Sequence, residues 1–505
     1  MRSTAMAQIA GTRNDSKAMT LKPQQHAYYF NRLIIENVRA FGAEQCLNLS
    51  DGSGNPSPWT LLLGENGVGK TTLLQCLARM YPYPAFLRKP PKEKRKKKKP
   101  HRDNPQDMGD PEYVEPELLQ HENEEISRFF RAGEGMTTRL SADITTYSKR
   151  SDRGKPFDKL DFHLEAKFQS DKGEIKNEDY VQEKFTLPKP GPLVIGYGAA
   201  RHVGHANRAR IQKEESTLSL FKDSTDLYDA EDILADLRFA ALDSRERLGK
   251  ASAHQTKDEK RLSSVLEAVS ALLPGLSSSD IDIKGPKVPG RKASETGVQV
   301  TIDGTVIPLS DLSVGYQTML AWTVDLAWRL YEWYPSANDA MLMPAVVLID
   351  EVDLHLHPRW QRDLRSHLTK HFPGVQFIAT THSPITAQEA LASGANLCVV
   401  RSTPNGSEII NDPVAVGEWR LDQVMTSELF GFVSARSWNA EQQLEARRRL
   451  ISKPELTPDE QAELERLDRY AVALPTAPSP EDQKFTEELR AVAERIKSGG
   501  SDGQQ

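Results

Sequence analysis

Three patterns of apolar and polar positions run along this chain, and each predicts a different kind of element. Unbroken apolar runs ending in turn residues predict buried strands at Trp59–Leu63, Leu193–Gly198, Ala345–Ile349 and Val375–Thr380. Alternation predicts a strand pair over Tyr29–Ile35 and Glu44–Leu49, and further strands over Arg139–Tyr147 and Lys159–Phe168. Val298–Ile302 and Thr305–Leu309 flank Asp303-Gly304, a two-residue hairpin signal. Spacing near 3.6 residues predicts helix within Asp229–Leu273, where Ile233, Leu234, Leu237, Leu242, Leu262, Val265, Leu266, Val269 and Leu272 recur close to that period. That segment is too short for a long antiparallel coiled-coil arm. A Leu- and Trp-rich helix is expected from Gln317 to about Trp333.

The tail carries start signals for two more helices. Thr457-Pro458-Asp459-Glu460 supplies an N-cap, a proline at the first helical position and a glutamate placed for a capping box. Ser479-Pro480-Glu481-Asp482 opens another, with Phe485, Leu489, Val492 and Ile496 on one face and Gly499-Gly500 at its end. That face suits docking on the chain's own core or on a partner.

Composition narrows the class. The 505 residues hold two or three domains, or one catalytic domain with insertions. With 38% apolar and 27% charged residues, most of the chain is expected to be globular. A net charge of −6 argues against a uniformly basic nucleic-acid coat but leaves room for a local basic patch. Cys46, Cys76 and Cys398 are too few and scattered for a disulfide framework or a zinc site. No apolar stretch suits a bilayer and no signal-like apolar core follows Met1, so no membrane association is expected and the default compartment is cytoplasmic. Arg88–Arg102 is dominated by Lys and Arg, and an acidic stretch follows to Glu125; such blocks self-repel and lack core residues.

The candidate chemistry sits where apolar strands end. Gly64-Glu65-Asn66-Gly67-Val68-Gly69-Lys70-Thr71-Thr72 follows a strand and runs into a helix-like segment, Leu73–Met80, which is the context of a P-loop. Its glycines let backbone N–H groups turn toward phosphates, Lys70 adds a point charge for the β- and γ-phosphates of a nucleotide, and the Thr71 hydroxyl can ligate Mg2+. Val346–Ile349 ends in Asp350-Glu351, which places a metal-positioning carboxylate beside one able to polarise an attacking water. Leu312-Ser313-Val314-Gly315-Tyr316-Gln317 precedes a helix start, where a serine and exposed N–H groups can meet an anion. Thr381-His382-Ser383 follows another apolar strand. His355 and His357, like His202 and His205, lack the companion ligands of a closed metal site, and no second acidic cluster suits phosphodiester cleavage.

The order of these four motifs resembles the ATP-binding cassette ATPases, and within them the RecF-like, SMC-like and overcoming-lysogenization-defect group. The resemblance implies an α/β ATPase head with a mixed β-sheet, a P-loop core, a short helical insertion and a helical C-terminal tail. It makes Leu312–Gln317 the signature motif, with Ser313, Val314, Gly315 and Gln317 completing a partner's nucleotide site. It makes Asp350-Glu351 the Walker B pair, His382 the switch histidine near the γ-phosphate, and Arg39, in Asn37–Phe41, an arginine beside the nucleotide. Glu351, His382 and Lys70 become the catalytic set; Thr71 and Asp350 become the Mg2+ ligands. Tyr316 replaces the signature's second glycine, and Val352–Pro358 resembles the histidine-proline loop of the RecF-like and overcoming-lysogenization-defect proteins. Tyr197-Gly198-Ala199-Ala200-Arg201 resembles a recurring element of compact ATPases of this kind, whereas neither Gln169 nor Gln182 has the context of the magnesium-coupling glutamine.

The expected organisation is a leader over 1–26, an N-terminal ATPase lobe over 27–85, a charged insertion over 86–125, and remaining N-terminal strands over 126–210. A helical insertion over 211–290, a C-terminal ATPase lobe over 291–435 and C-terminal helices over 436–505 follow. The short arm region and Glu418–Gly431 are similar to stand-alone anti-phage ATPases, particularly the ATPase subunits of Septu-type systems. That resemblance implies a homo-oligomer, an ATP-dependent head dimer or a higher assembly, that controls a separate HNH nuclease. It leaves open DNA or RNA contact through Lys94–Lys99. The alternatives are a RecF-like DNA-repair ATPase and an ATP-binding scaffold without turnover.

Overall fold

A computed structural model describes residues 21, 27–80, 82–84, 113–114, 116–118, 137–149, 157–171, 174–182, 187–188, 192–200, 202–206, 216–222, 226–248, 254–272, 276–285, 297–302, 304–354, 356–411, 413, 419–427, 429–430, 435–453 and 456–474. The chain forms two compact units, residues 1–413 and 414–505.

Two large sheets form the framework of the first unit. Its central sheet has six strands in the order Val194–Tyr197, Ala345–Ile349, Val375–Thr381, Trp59–Gly64, Asn396–Thr403 and Gly406–Asn411; only the last runs antiparallel. Continuous apolar runs suit this position, because a parallel sheet is covered on both faces. Every residue of Ala345–Ile349 and Val375–Thr381 is buried. The parallel register brings Tyr197, Ile349, Thr381 and Gly64 to one edge, and the turns that follow them form the candidate site. Val194–Tyr197 therefore belongs to the central sheet, although in sequence it follows the N-terminal strands.

The second sheet is antiparallel, in the order Gln45–Asn48, Tyr28–Glu36, Thr137–Lys149, Phe157–Asp171 and Glu174–Gln182. Leu33, Ile35 and Leu47 turn into the core that it shares with Leu62, Leu73 and Ile378, while Arg32 faces out. Gln376 ties the two sheets, accepting from the Phe30 N–H at 2.9 Å and donating to the Phe30 carbonyl at 2.8 Å.

The free side of Val194–Tyr197 is covered by Ser216–Phe221. The Gly196 N–H donates to the Ser216 carbonyl at 2.8 Å, and the Ser216 and Ser219 hydroxyls donate to the Val194 and Gly196 carbonyls at 2.7 and 2.6 Å. This close crossing requires Gly198, where an added Cβ would lie 2.1 Å from the Ser219 carbonyl oxygen.

The segment read as helical over Asp229–Leu273 contains two helices, Ala230–Leu248 and Lys257–Ser270. The second begins at Thr256, whose capping box with Glu259 supplies a fresh start. The expected hairpin pairs Gly297–Ile302 with Thr305–Pro308 and carries Ile281–Gly285 on its other side. The Leu- and Trp-rich helix, Val314–Trp333, starts three residues earlier than its periodicity indicated, because Ser313 is its N-cap.

In the second unit, Trp438–Ile451 and Pro458–Ala473 are helices, the latter with the Thr457–Glu460 capping box. Arg447 pairs with Asp468 at 2.6 Å between them. The helix expected after Ser479, with Phe485, Leu489, Val492 and Ile496, lies outside the described residues, as do His355, Arg201 and Lys94–Lys99. Among the described residues no helix is long and apolar enough to cross a membrane.

Candidate functional site

The P-loop owes its shape to three glycines with positive φ, Gly64, Gly67 and Gly69, at 152°, 81° and 102°. It is wedged from below. A Cβ on Gly64 would lie 2.2 Å from the Val400 carbonyl oxygen, and one on Gly69 would lie 2.7 Å from the Phe41 ring. Gly64→Ala is therefore expected to lower stability by about 3 kcal/mol, combining overpacking against backbone with a strained φ. Urea unfolding would measure this, and an unchanged midpoint would refute the packing account.

Beyond the loop, the helix Lys70–Arg79 begins with no acidic residue in its first turn, which leaves its N-terminal N–H groups suited to an anion. The Lys70 ammonium donates to the Gly64 and Glu65 carbonyls at 2.9 and 2.8 Å. Burial lowers its pKa to about 8, against the opposing pull of Asp350, Glu351 and Asp353. An incoming phosphate would favour the charged ammonium further.

Opposite the loop, Asp350 ends the buried strand Ala345–Ile349. One carboxylate oxygen accepts from the Thr71 hydroxyl at 2.7 Å, and the other accepts from the Thr380 hydroxyl at 2.6 Å. Thr380 also receives the Glu351 N–H at 2.7 Å. This holds Glu351 at φ 48°, an uncommon conformation for a residue with a side chain. The neighbouring Thr381 hydroxyl bonds to Asp353 and accepts from the Ser383 N–H at 3.0 Å. Ser383 caps the next helix by accepting from the Thr386 N–H. His382 is thus pinned between two anchored residues. Burial, and secondarily Lys70, hold its pKa below the usual histidine value, against the opposing pull of Glu351, Asp353 and Asp350.

Arg39 lies against the helix that follows the P-loop. Its guanidinium donates to Gln75 at 3.0 Å and Thr72 at 3.3 Å, from a turn with φ 44°. At the other motif, Ser313 is exposed and its hydroxyl makes no cap bond; Val314 is 65% exposed. Gln317 donates to the Ser310 and Leu312 carbonyls, both at 2.7 Å, so it shapes the turn before the helix. Tyr316, which replaces the signature glycine, packs edge-on against Trp360 at 4.0 Å between ring centroids. The structure thus joins Thr71 directly to Asp350, joins Asp350 to Glu351 through Thr380, and leaves Ser313 and Val314 exposed to solvent.

Thr71 and Asp350 present hard oxygen donors beside the phosphate loop, a set that fits Mg2+, which takes one or two protein oxygens together with substrate phosphates. Among the described residues no group of three or more His, Cys, Asp or Glu could hold a metal. His357 instead caps the helix Pro358–His371 by accepting from the Arg359 N–H at 3.3 Å. Thr380, Phe41 and Gln75 escaped sequence reasoning. Thr380 had a signal, since it ends an apolar run beside Thr381-His382.

A family model described as "AAA domain, putative AbiEii toxin, Type IV TA system" matches residues 60–387. The chain is 24% identical over 418 residues to the Septu protein PtuA of Bacillus mycoides (strain KBAB4), covering 80% of this chain and 46% of the relative. It is 35% identical over 137 residues to the "Retron Ec83 probable ATPase" of Escherichia coli, covering 27% of this chain and 23% of the relative. The matched stretches thus span less than half the length of these curated relatives. An SMC head bound to the C-terminal winged-helix domain of ScpA aligns over 77% of this chain and 98% of that one, with 14% identity and a TM-score of 0.37.

Proposed function

The chain belongs to this AAA-domain family of P-loop ATPases, and on that premise we propose that it hydrolyses ATP between two copies of itself and uses the cycle to control a partner nuclease in anti-phage defence. The observation that carries the reading is the direct bond between Thr71 of the P-loop and Asp350 of the neighbouring strand end. That contact supports reading the loop and the strand end as parts of one nucleotide site.

In this reading the backbone of Gly64, Glu65, Asn66, Gly67, Val68, Gly69 and Thr72 cradles the phosphates, and Lys70 leaves its carbonyl partners to meet the γ-phosphate. Thr71 and Asp350 would hold a Mg2+ ion, whose charge would offset that of the phosphates. Glu351, fixed by its N–H on Thr380, orients the attacking water and takes its proton. His382 offers a ring N–H to the γ-phosphate, and Arg39 flanks the nucleotide. The exposed N-terminal turn of Val314–Trp333, with Ser313, completes the site of a second copy.

Relatedness to a Septu protein supports the defence context, and a separate HNH protein is the effector to test first. Purified chain should hydrolyse ATP yet leave supercoiled and linear DNA intact with magnesium or manganese. Cleavage should arise only when the HNH protein of the native operon is added. DNA cutting by the chain alone, abolished by a substitution outside the ATP site, would overturn the division of labour. ATP-dependent DNA binding with no nuclease partner would instead favour a repair ATPase.

A further inference from the structure

Asp325 lies three turns into the helix Val314–Trp333 and is fully buried. Its carboxylate is a junction. One oxygen accepts from the Tyr197 hydroxyl and from Arg329 Nε, each at 2.7 Å; the other accepts from the Tyr228 N–H at 3.2 Å and from Arg329 at 3.4 Å. Arg329 also lies over the Tyr228 ring, 5.1 Å from its centroid. Tyr228 ends the short strand Asp226–Tyr228 immediately before the helix Ala230–Leu248, at the base of the helical insertion.

Tyr197 is bonded at both ends. Its side chain holds Asp325, while its carbonyl accepts the N–H of Asp350 at 2.8 Å. One residue therefore joins the signature helix to the Walker B aspartate. Twelve residues separate Ser313 from Asp325, about 18 Å along a helix, so a tilt imposed at Ser313 reaches the junction as rigid-body motion. Apolar side chains would pack such an interior at no loss of stability. A paired carboxylate restricts the junction to one geometry, because any other leaves a buried charge short of donors.

We propose that Asp325 is a positioning residue: through Tyr197 it passes the orientation of the signature helix, and through Tyr228 that of the insertion's base, to the Asp350-Glu351 edge. The proposal rests on the ATPase reading above. The direction of transmission is reciprocal, so ATP held at Asp350 equally biases the insertion, where an effector could sense it.

The test uses full-length protein with two measurements, affinity for a fluorescent ATP analogue and steady-state ATP hydrolysis. Tyr197→Phe deletes one hydroxyl and keeps the ring beside Trp322, whose centroid is 5.9 Å away. Its kcat should fall about fivefold or more while KM and analogue affinity stay within about twofold. Asp325→Asn should behave alike, and the double variant should be no slower than the slower single, as expected for residues on one path. A Tyr197→Phe kcat within about twofold of the parent, additive effects in the double variant, or lost analogue binding in Tyr197→Phe would each overturn the proposal. Should Asp325→Asn fail to fold, Tyr197→Phe decides alone. A parent without turnover would instead strike down the ATPase reading itself, a result distinct from an active parent whose Tyr197→Phe variant is equally active.

Discussion

Glu351→Gln is expected to slow ATP hydrolysis about a hundredfold or more while ATP binding persists, because an amide keeps the shape of the side chain and loses the general base. The backbone demands nothing further of the residue. Its N–H still reaches Thr380 at 2.7 Å, and glutamine meets the φ of 48° with the same strain as glutamate. The variant should hold ATP across two copies, so its apparent mass in size exclusion should double when ATP is added. Phosphate release at the parental rate would remove Glu351 from the chemistry. Loss of ATP binding would show that the substitution disturbed the loop itself.

Lys70→Ala and Ser313→Arg should each abolish turnover, and mixing the two should restore it. Lys70 is buried within the P-loop, whereas Ser313 is exposed at a helix start. In the proposed dimer, a site built from both draws them from different copies. Two-fold symmetry then makes a definite prediction. In a mixed dimer one site carries both defects and the other neither, so a one-to-one mixture should recover about a quarter of parental activity if sites act independently. No recovery from two folded proteins would place Ser313 outside the nucleotide site.

The phosphate loop and the Asp350-Glu351 pair were legible in sequence because each follows an apolar run that ends abruptly. A run of that kind in a parallel sheet has one meaning, a buried strand whose end is an exposed turn. What periodicity cannot give is the neighbour. Strands separated by more than a hundred residues, such as Val194–Tyr197 and Ala345–Ile349, lie side by side, and their adjacency turns Tyr197 from a buried aromatic into a link. Thr380 likewise reads as one more strand residue until Asp350 is seen within 2.6 Å of it. Phe41 belongs to a loop in sequence but fills the space beneath Gly69. The helical region was legible as helix, and its division at Thr256 followed a local cap that a count of apolar spacing overlooks.

The serines that cover Val194–Tyr197 bear on how copies of this chain meet. An apolar strand at a sheet margin, with its amides and carbonyls unclaimed, is a template for any other strand, including its own counterpart in a neighbouring molecule. Ser216 and Ser219 claim those groups with one carbonyl and two hydroxyls, and a hydroxyl on a short side chain cannot extend a ladder as another strand would. In the proposed dimer, where two copies meet face to face, this cover removes the Val194–Tyr197 margin as a competing edge-to-edge contact. Ser216 and Ser219 thus close that margin to further strands.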